Sequence, residues 1–123
     1  MLAASGIFGF LGVALGAFGA HGLRSWLASV PDGETRLGWW ETAAHYQLIH
    51  AIALAIVAWR ISGRDGRVER GAGVAFVSGI LLFCGSLDAM ALGAPRWLGA
   101  VTPLGGLSFL VGWALLVVSA LRR

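Results

Sequence analysis

Four long apolar runs fill almost the whole chain: Leu2–Leu23, Thr42–Trp59, Ala72–Leu92 and Thr102–Leu121. Each is close to the ~20 residues that an α-helix needs to cross ~30 Å of hydrocarbon. Short polar stretches, each carrying arginine, separate them. The pattern predicts an all-α membrane protein: a four-transmembrane-helix bundle in which residues 1–123 form a single transmembrane domain. The first run has no positively charged segment before it and exceeds the ~7–15 apolar residues of a signal peptide, so it reads as a retained span.

The connections differ in kind. Within Arg24–Gly38, Leu23, Trp26, Leu27 and Val30 repeat at helical spacing. That face predicts a short interfacial helix between spans one and two, ended by Pro31-Asp32-Gly33. Ile61–Arg70 is polar, holds Gly63 and Gly66, and reads as a solvated turn. Gly93–Gly99 is short, which makes spans three and four a hairpin. Thr102-Pro103 opens span four as N-cap and first helical residue.

Composition supports lipid as the main solvent. The chain is 58% hydrophobic and 12% charged, about half the roughly 25% of charged residues in soluble domains. Its net charge of +3 comes from arginine alone. These charges flank membrane spans, where they act as topology signals rather than as a nucleic-acid face. With the N-terminus cytoplasmic, Arg60, Arg64, Arg67, Arg70, Arg122 and Arg123 share its side, against Arg24, Arg36 and Arg96 opposite. Both termini are therefore expected in the cytoplasm. Cys84 lies alone inside an apolar run, so no disulfide framework is available.

A faint internal repeat sets Ser5–Gly12 against Ser78–Gly85, with Ser, Gly, Ile, Phe and Gly in register. A tandem two-helix duplication would relate the halves about an axis along the membrane normal.

Two sets of residues carry whatever function the chain has. Span one repeats glycine at every third or fourth position, including Gly12, Gly16 and Gly19; Gly105, Gly106 and Gly112, with Ser108, offer a comparable small-residue surface in span four. Small residues let helix backbones approach closely in lipid. These faces serve either the bundle itself or a homo-oligomer or larger membrane complex.

The second set is polar. His21, Glu41, His45, Asp88 and Thr102 are expected at one membrane depth near the outer side, with Tyr46, Gln47 and His50 deeper on span two. Ionisable groups within spans are costly and usually pair or face water. Asp88 calls for a partner, such as His21, His45 or an outer arginine. Histidines and a carboxylate suit a divalent ion, and His21 with His45 loosely suits bis-histidine haem, but no tight motif supports either. No cofactor or metal is assigned. Nothing resembles a nucleophile–base pair, so no enzymatic activity is expected.

Gly16-Ala17-Phe18-Gly19-Ala20-His21, Trp39–Thr42 with Tyr46-Gln47 and His50, Leu82–Leu87, and Thr102-Pro103-Leu104-Gly105-Gly106 with Phe109 to Trp113 occur in a telling order. Together they resemble the YgdD-like small inner-membrane proteins, a family of unknown function with mitochondrial relatives. The resemblance implies four transmembrane helices in a bacterial inner membrane and no established activity. It departs where the family reads Phe-Ser-Gly-Ser-Leu-Tyr, since this chain has Cys84 and Asp88 for the serine and the tyrosine. The expected function is that of a structural or accessory bundle that binds partners or lipid through its glycine-rich faces. The rival is a small-ligand or proton-handling protein (quinone, haem, metal or solute) built on the outer polar groups.

Overall fold

The computed structural model describes residues 1–61 and 66–122. Among these residues 89% are helical, and four helices are long and apolar enough to cross a membrane. They are span one Leu2–Leu27, span two Gly33–Ile61, span three Arg67–Ala91 and span four Arg96–Leu121. In hydrocarbon only a helix satisfies every backbone N–H and C=O within one segment, which is why uninterrupted apolar runs resolve this way.

Spans one and two pack as one pair, spans three and four as another, and spans two and three meet in the centre. The core between them holds Leu54, Val57, Phe76, Ile80, Leu87 and Phe109. Span one is the most peripheral, with 11% of its apolar window buried against 44% in spans two and three. This pairing has the form a two-helix duplication would give, but the backbone does not repeat in detail. Single π-helical turns occur at Gly19–Leu23 and Ile80–Cys84. The second lies inside the repeated motif, whereas its counterpart in the first copy is ordinary α-helix.

Three boundaries differ from expectation. The stretch Arg24–Leu27 is helical, but it continues span one through the π-turn instead of lying apart as an interfacial helix. Its apolar face is taken up by protein: Leu23 and Leu27, 1% and 2% exposed, pack with Trp40 and Ala91. Span two begins at Gly33, well before Thr42. Gly33 lies so close to the Leu27 carbonyl that a Cβ there would collide with it, so glycine alone permits the turn. From Gly33 the helix runs 29 residues, roughly 44 Å at 1.5 Å per residue, and overshoots the ~30 Å hydrocarbon. The overshoot is where Glu34, Arg36 and Glu41 sit. Of the inner connection, residues 62–65, including Gly63, lie outside the described residues, and span three already starts at Arg67.

Candidate functional site

The glycine stripes decide which faces of the helices remain free. In span one, a Cβ on Gly12 would stand 2.8 Å from Leu48 Cδ2, on Gly16 4.0 Å from Ala44, and on Gly19 2.5 Å from Trp40 Cδ1. All three partners are on span two. In span four, a Cβ on Gly105 would run into the Phe83 backbone nitrogen, and one on Gly112 would stand 2.5 Å from Phe76 Cε1, while Gly106 has Phe83 Cδ2 at 3.9 Å. Those partners are on span three. These six glycines therefore face the bundle's own interior, whereas Gly6 and Gly22 at the two ends of the span-one stripe meet no other helix. What span one turns outward is bulky and apolar: Ile7, Phe10 and Val13 are exposed.

Polar side chains lock the same pairs of helices. Along the span one–span two seam, Ser5 Oγ donates to Ala51 O at 2.8 Å, Gln47 Nε2 to Phe8 O at 3.0 Å, and Trp40 Nε1 to Leu15 O at 2.7 Å. Gln47 is buried, so its amide spends a donor on a carbonyl already bonded within its helix. Such interhelical bonds are worth about 0.6–2 kcal/mol each in lipid.

His50 sits at the centre of an aromatic cluster. It is buried, and its ring stacks on Phe109 with centroids 3.5 Å apart and planes 10° apart. Trp113 Nε1 donates to His50 Nε2 at 3.2 Å. An indole can only donate, so Nε2 accepts and the proton sits on Nδ1, which is 2.7 Å from Tyr46 O. Tyr46 is partly exposed and its ring leans on Phe83, with centroids 4.7 Å apart and planes tilted by 33°. The sequence pointed to Tyr46, Gln47 and His50 but gave no sign that Trp113 on span four completes the group.

The outer polar residues do not converge. Glu41 pairs with Arg24 at 3.0 Å, both exposed. His21 and His45 are exposed and make no side-chain bond among the described residues. Thr102 does not cap its helix; its hydroxyl bonds Ser86 Oγ at 2.7 Å. Asp88 Oδ1 is buried and has no hydrogen-bond partner, so the expected pairing of Asp88 with His45, His21 or an arginine is absent among the described residues. Glu41 and His45 stand exposed on span two, Glu41 held by Arg24, while Asp88 on span three is partly buried. No group of three histidine, cysteine or carboxylate side chains among the described residues could hold a metal ion.

Two clusters escaped sequence reading. At the end of the bundle away from the termini Asp32 joins the helical hairpins: Arg96 Nη2 donates to its Oδ2 at 3.0 Å and Arg36 stands 3.7 Å from Oδ1. Arg36 Nε also reaches Ala91 O at 2.8 Å. Arg36 and Arg96 lie over the rings of Trp26 and Trp39, each 5.4 Å from the centroid. The hydrogen bond from Arg96 is the main reason the Asp32 carboxyl is held below its ordinary value. At the end that carries the termini, Arg60 Nη2 donates to Ser119 Oγ at 2.7 Å, and that hydroxyl donates to Glu69 Oε1. Three spans meet there. The signal was present as a charge and a serine near span ends, but arginines in such places read equally well as topology signals.

Comparison with known proteins agrees with this architecture. Residues 15–106 match the family described as "Protein of unknown function (DUF423)". The chain is 41% identical to the UPF0382 inner membrane protein YgdD of Escherichia coli K12, over 99% of this chain and 89% of that protein. It is 41% identical to the UPF0382 membrane protein YwdK of Bacillus subtilis, over 91% of this chain and 88% of that one. A UPF0382 membrane protein of Staphylococcus haemolyticus is 39% identical over 91% of this chain. No solved structure matches. A full-length likeness of this strength, carried by the same four apolar helices, places the chain: it belongs to the DUF423 family of integral membrane proteins.

Proposed function

We propose that the protein is a non-enzymatic accessory bundle of the bacterial inner membrane that holds partner membrane proteins or lipid on its outward apolar surfaces, with both termini cytoplasmic. One observation carries the reading. The polar side chains of the span one–span two seam and of the His50 cluster are spent on the bundle's own backbone and rings. Groups committed in this way act as interhelical glue rather than as a reactive site. The glycine faces, consumed inside, are not the docking surface; the bulky face of span one with Ile7, Phe10 and Val13 is the one left over. The excess of arginine at the inner end supports the orientation.

The rival, a ligand- or proton-handling protein, has one observation in its favour, the buried and unpartnered Asp88 Oδ1. Native mass spectrometry of the protein extracted from its own membrane in mild detergent separates the two. A homo-oligomer, a larger complex or retained lipid is expected. A bound quinone, haem or metal ion in stoichiometric amount would overturn the accessory reading in favour of the rival. Fusing a cytoplasm-active or periplasm-active reporter to Arg122 tests the orientation.

A further inference from the structure

An open groove of about 670 Å³ runs into the wall of the bundle at its inner end. Span one contributes Met1 and Leu2, span two Ala55, Ala58 and Trp59, and span three Arg70. The two alanines leave the space, since neighbouring positions on span two carry leucine, isoleucine and valine. The volume falls within the ~300–1,000 Å³ of ordinary ligand sites. The lining is apolar except for one guanidinium.

That guanidinium is uncommitted. Arg70 is exposed and makes no ion pair or side-chain hydrogen bond among the described residues, whereas Arg24, Arg36, Arg60 and Arg96 each stand within 4.0 Å of a carboxylate. Charge is also unevenly divided. The outer end sets Arg24, Arg36 and Arg96 against Asp32, Glu34 and Glu41, while the inner end sets six arginines against only Asp65 and Glu69. Trp59, 72% exposed, lines the groove at the level where indole rings sit beside lipid headgroups.

We infer that this groove binds an anionic phospholipid, its headgroup phosphate on Arg70 and an acyl chain laid along Leu2, Ala55 and Ala58. A guanidinium favours phosphate because its parallel N–H groups meet two oxygens at once. Basic pockets between helices on the cytoplasmic side are suited to such headgroups. A second copy of the chain fits the groove poorly: it would bring its own arginine-rich end, and its Glu69 is already engaged by Ser119 and Arg60. The inference deepens the lipid half of the proposed function and rests on it.

The test uses the full chain in detergent, stripped of lipid and then titrated with phosphatidylglycerol or phosphatidylcholine of identical acyl chains, with occupancy read by native mass spectrometry. One basic group at the headgroup level predicts a preference of about fivefold for phosphatidylglycerol. Arg70→Gln is expected to erase the preference and keep residual binding of both lipids. Ala55→Leu, which fills the groove, should lower occupancy by both. Arg96→Gln, at the other end, should change neither. Circular dichroism confirms that each variant stays helical. If folded Arg70→Gln and Ala55→Leu both match the wild type, the lipid sits elsewhere and the site is wrong, although the lipid-holding reading stands. If the wild type holds both lipids without preference, the headgroup assignment fails. If it holds neither, the lipid half of the proposed function falls with the site, leaving the partner half.

Discussion

Trp113 donates its indole N–H to His50 Nε2 at 3.2 Å, joining two spans that otherwise meet mainly through long side chains. The bond also fixes the neutral tautomer that lets Nδ1 bond Tyr46 O in the same helix. Trp113→Phe keeps an aromatic ring but deletes the donor, so a loss of about 0.6–2 kcal/mol is expected. His50→Ala also removes the stack on Phe109 and opens a cavity, and should cost more, about 2–4 kcal/mol. Unfolding in dodecyl sulfate mixed micelles reads both. A His50→Ala protein as stable as wild type would sink the view of His50 as structural glue.

Close helix approach gives the second prediction. A Cβ at Gly105 would strike the Phe83 backbone, which cannot swing aside as a side chain could. Gly105→Ala is therefore expected to destabilise by about 1–3 kcal/mol. Gly85→Ala, with nothing within 4 Å of the new methyl, should stay within about 0.5 kcal/mol of wild type or gain slightly from helix propensity. Gly12→Leu should part span one from span two, because the added side chain must displace Leu48. Equal melting temperatures for Gly105→Ala and Gly85→Ala would contradict the packing described.

The number and rough extent of the spans were readable because hydropathy over ~20 residues reports one quantity, transfer into lipid. The start of span two was not: Glu34, Arg36 and Glu41 break the apolar run, yet they ride on a helix that projects beyond the hydrocarbon. The separate interfacial helix failed for a related reason. Leu23 and Leu27 form an apolar face either way, and only tertiary packing against Trp40 decides whether lipid or protein covers it. Sequence singled out Gln47 and His50 as polar groups needing partners, but their partners, a Phe8 carbonyl and the Trp113 indole, depend on helix rotation that no local pattern encodes. The outer cluster shows the converse. Equal depth predicted that Glu41, His45 and Asp88 would meet, but Glu41 is held by Arg24, His45 stands exposed and Asp88 Oδ1 is buried without a partner.

The Asp32–Arg96 contact predicts an acid-dependent stability. Arg96 holds the Asp32 carboxyl below 3.8, so folding favours its ionised form. The contribution is fully present above the ordinary value of 3.8 and disappears as pH falls through the depressed one. In thermal melts, wild type should exceed Asp32→Asn by a constant margin well above pH 3.8, with the two curves converging as pH falls below it. Because the carboxyl is exposed, the margin should also shrink at high salt. A margin that persists unchanged into acid would mean that Asp32 acts through its turn geometry and not its charge.

The inner cluster offers the sharpest test of how a charge is tolerated at the end of a membrane span. Arg60 and Glu69 are only 14% and 13% exposed, and their charged atoms stand 4.0 Å apart with the Ser119 hydroxyl bonded to both. Ser119→Ala removes the bridge but leaves the opposite charges free to close up, so a loss of about 1 kcal/mol is expected. Glu69→Gln is the harsher change, since it leaves the largely buried Arg60 guanidinium without its counter-charge, and about 3–5 kcal/mol should be lost. The double variant Arg60→Met/Glu69→Leu removes both charges and should recover most of that loss, because a matched apolar pair avoids the desolvation cost altogether. Mixed-micelle unfolding of the three variants decides the matter. A double variant as unstable as Glu69→Gln would show that the two residues hold spans two and three by separate contacts rather than as one pair.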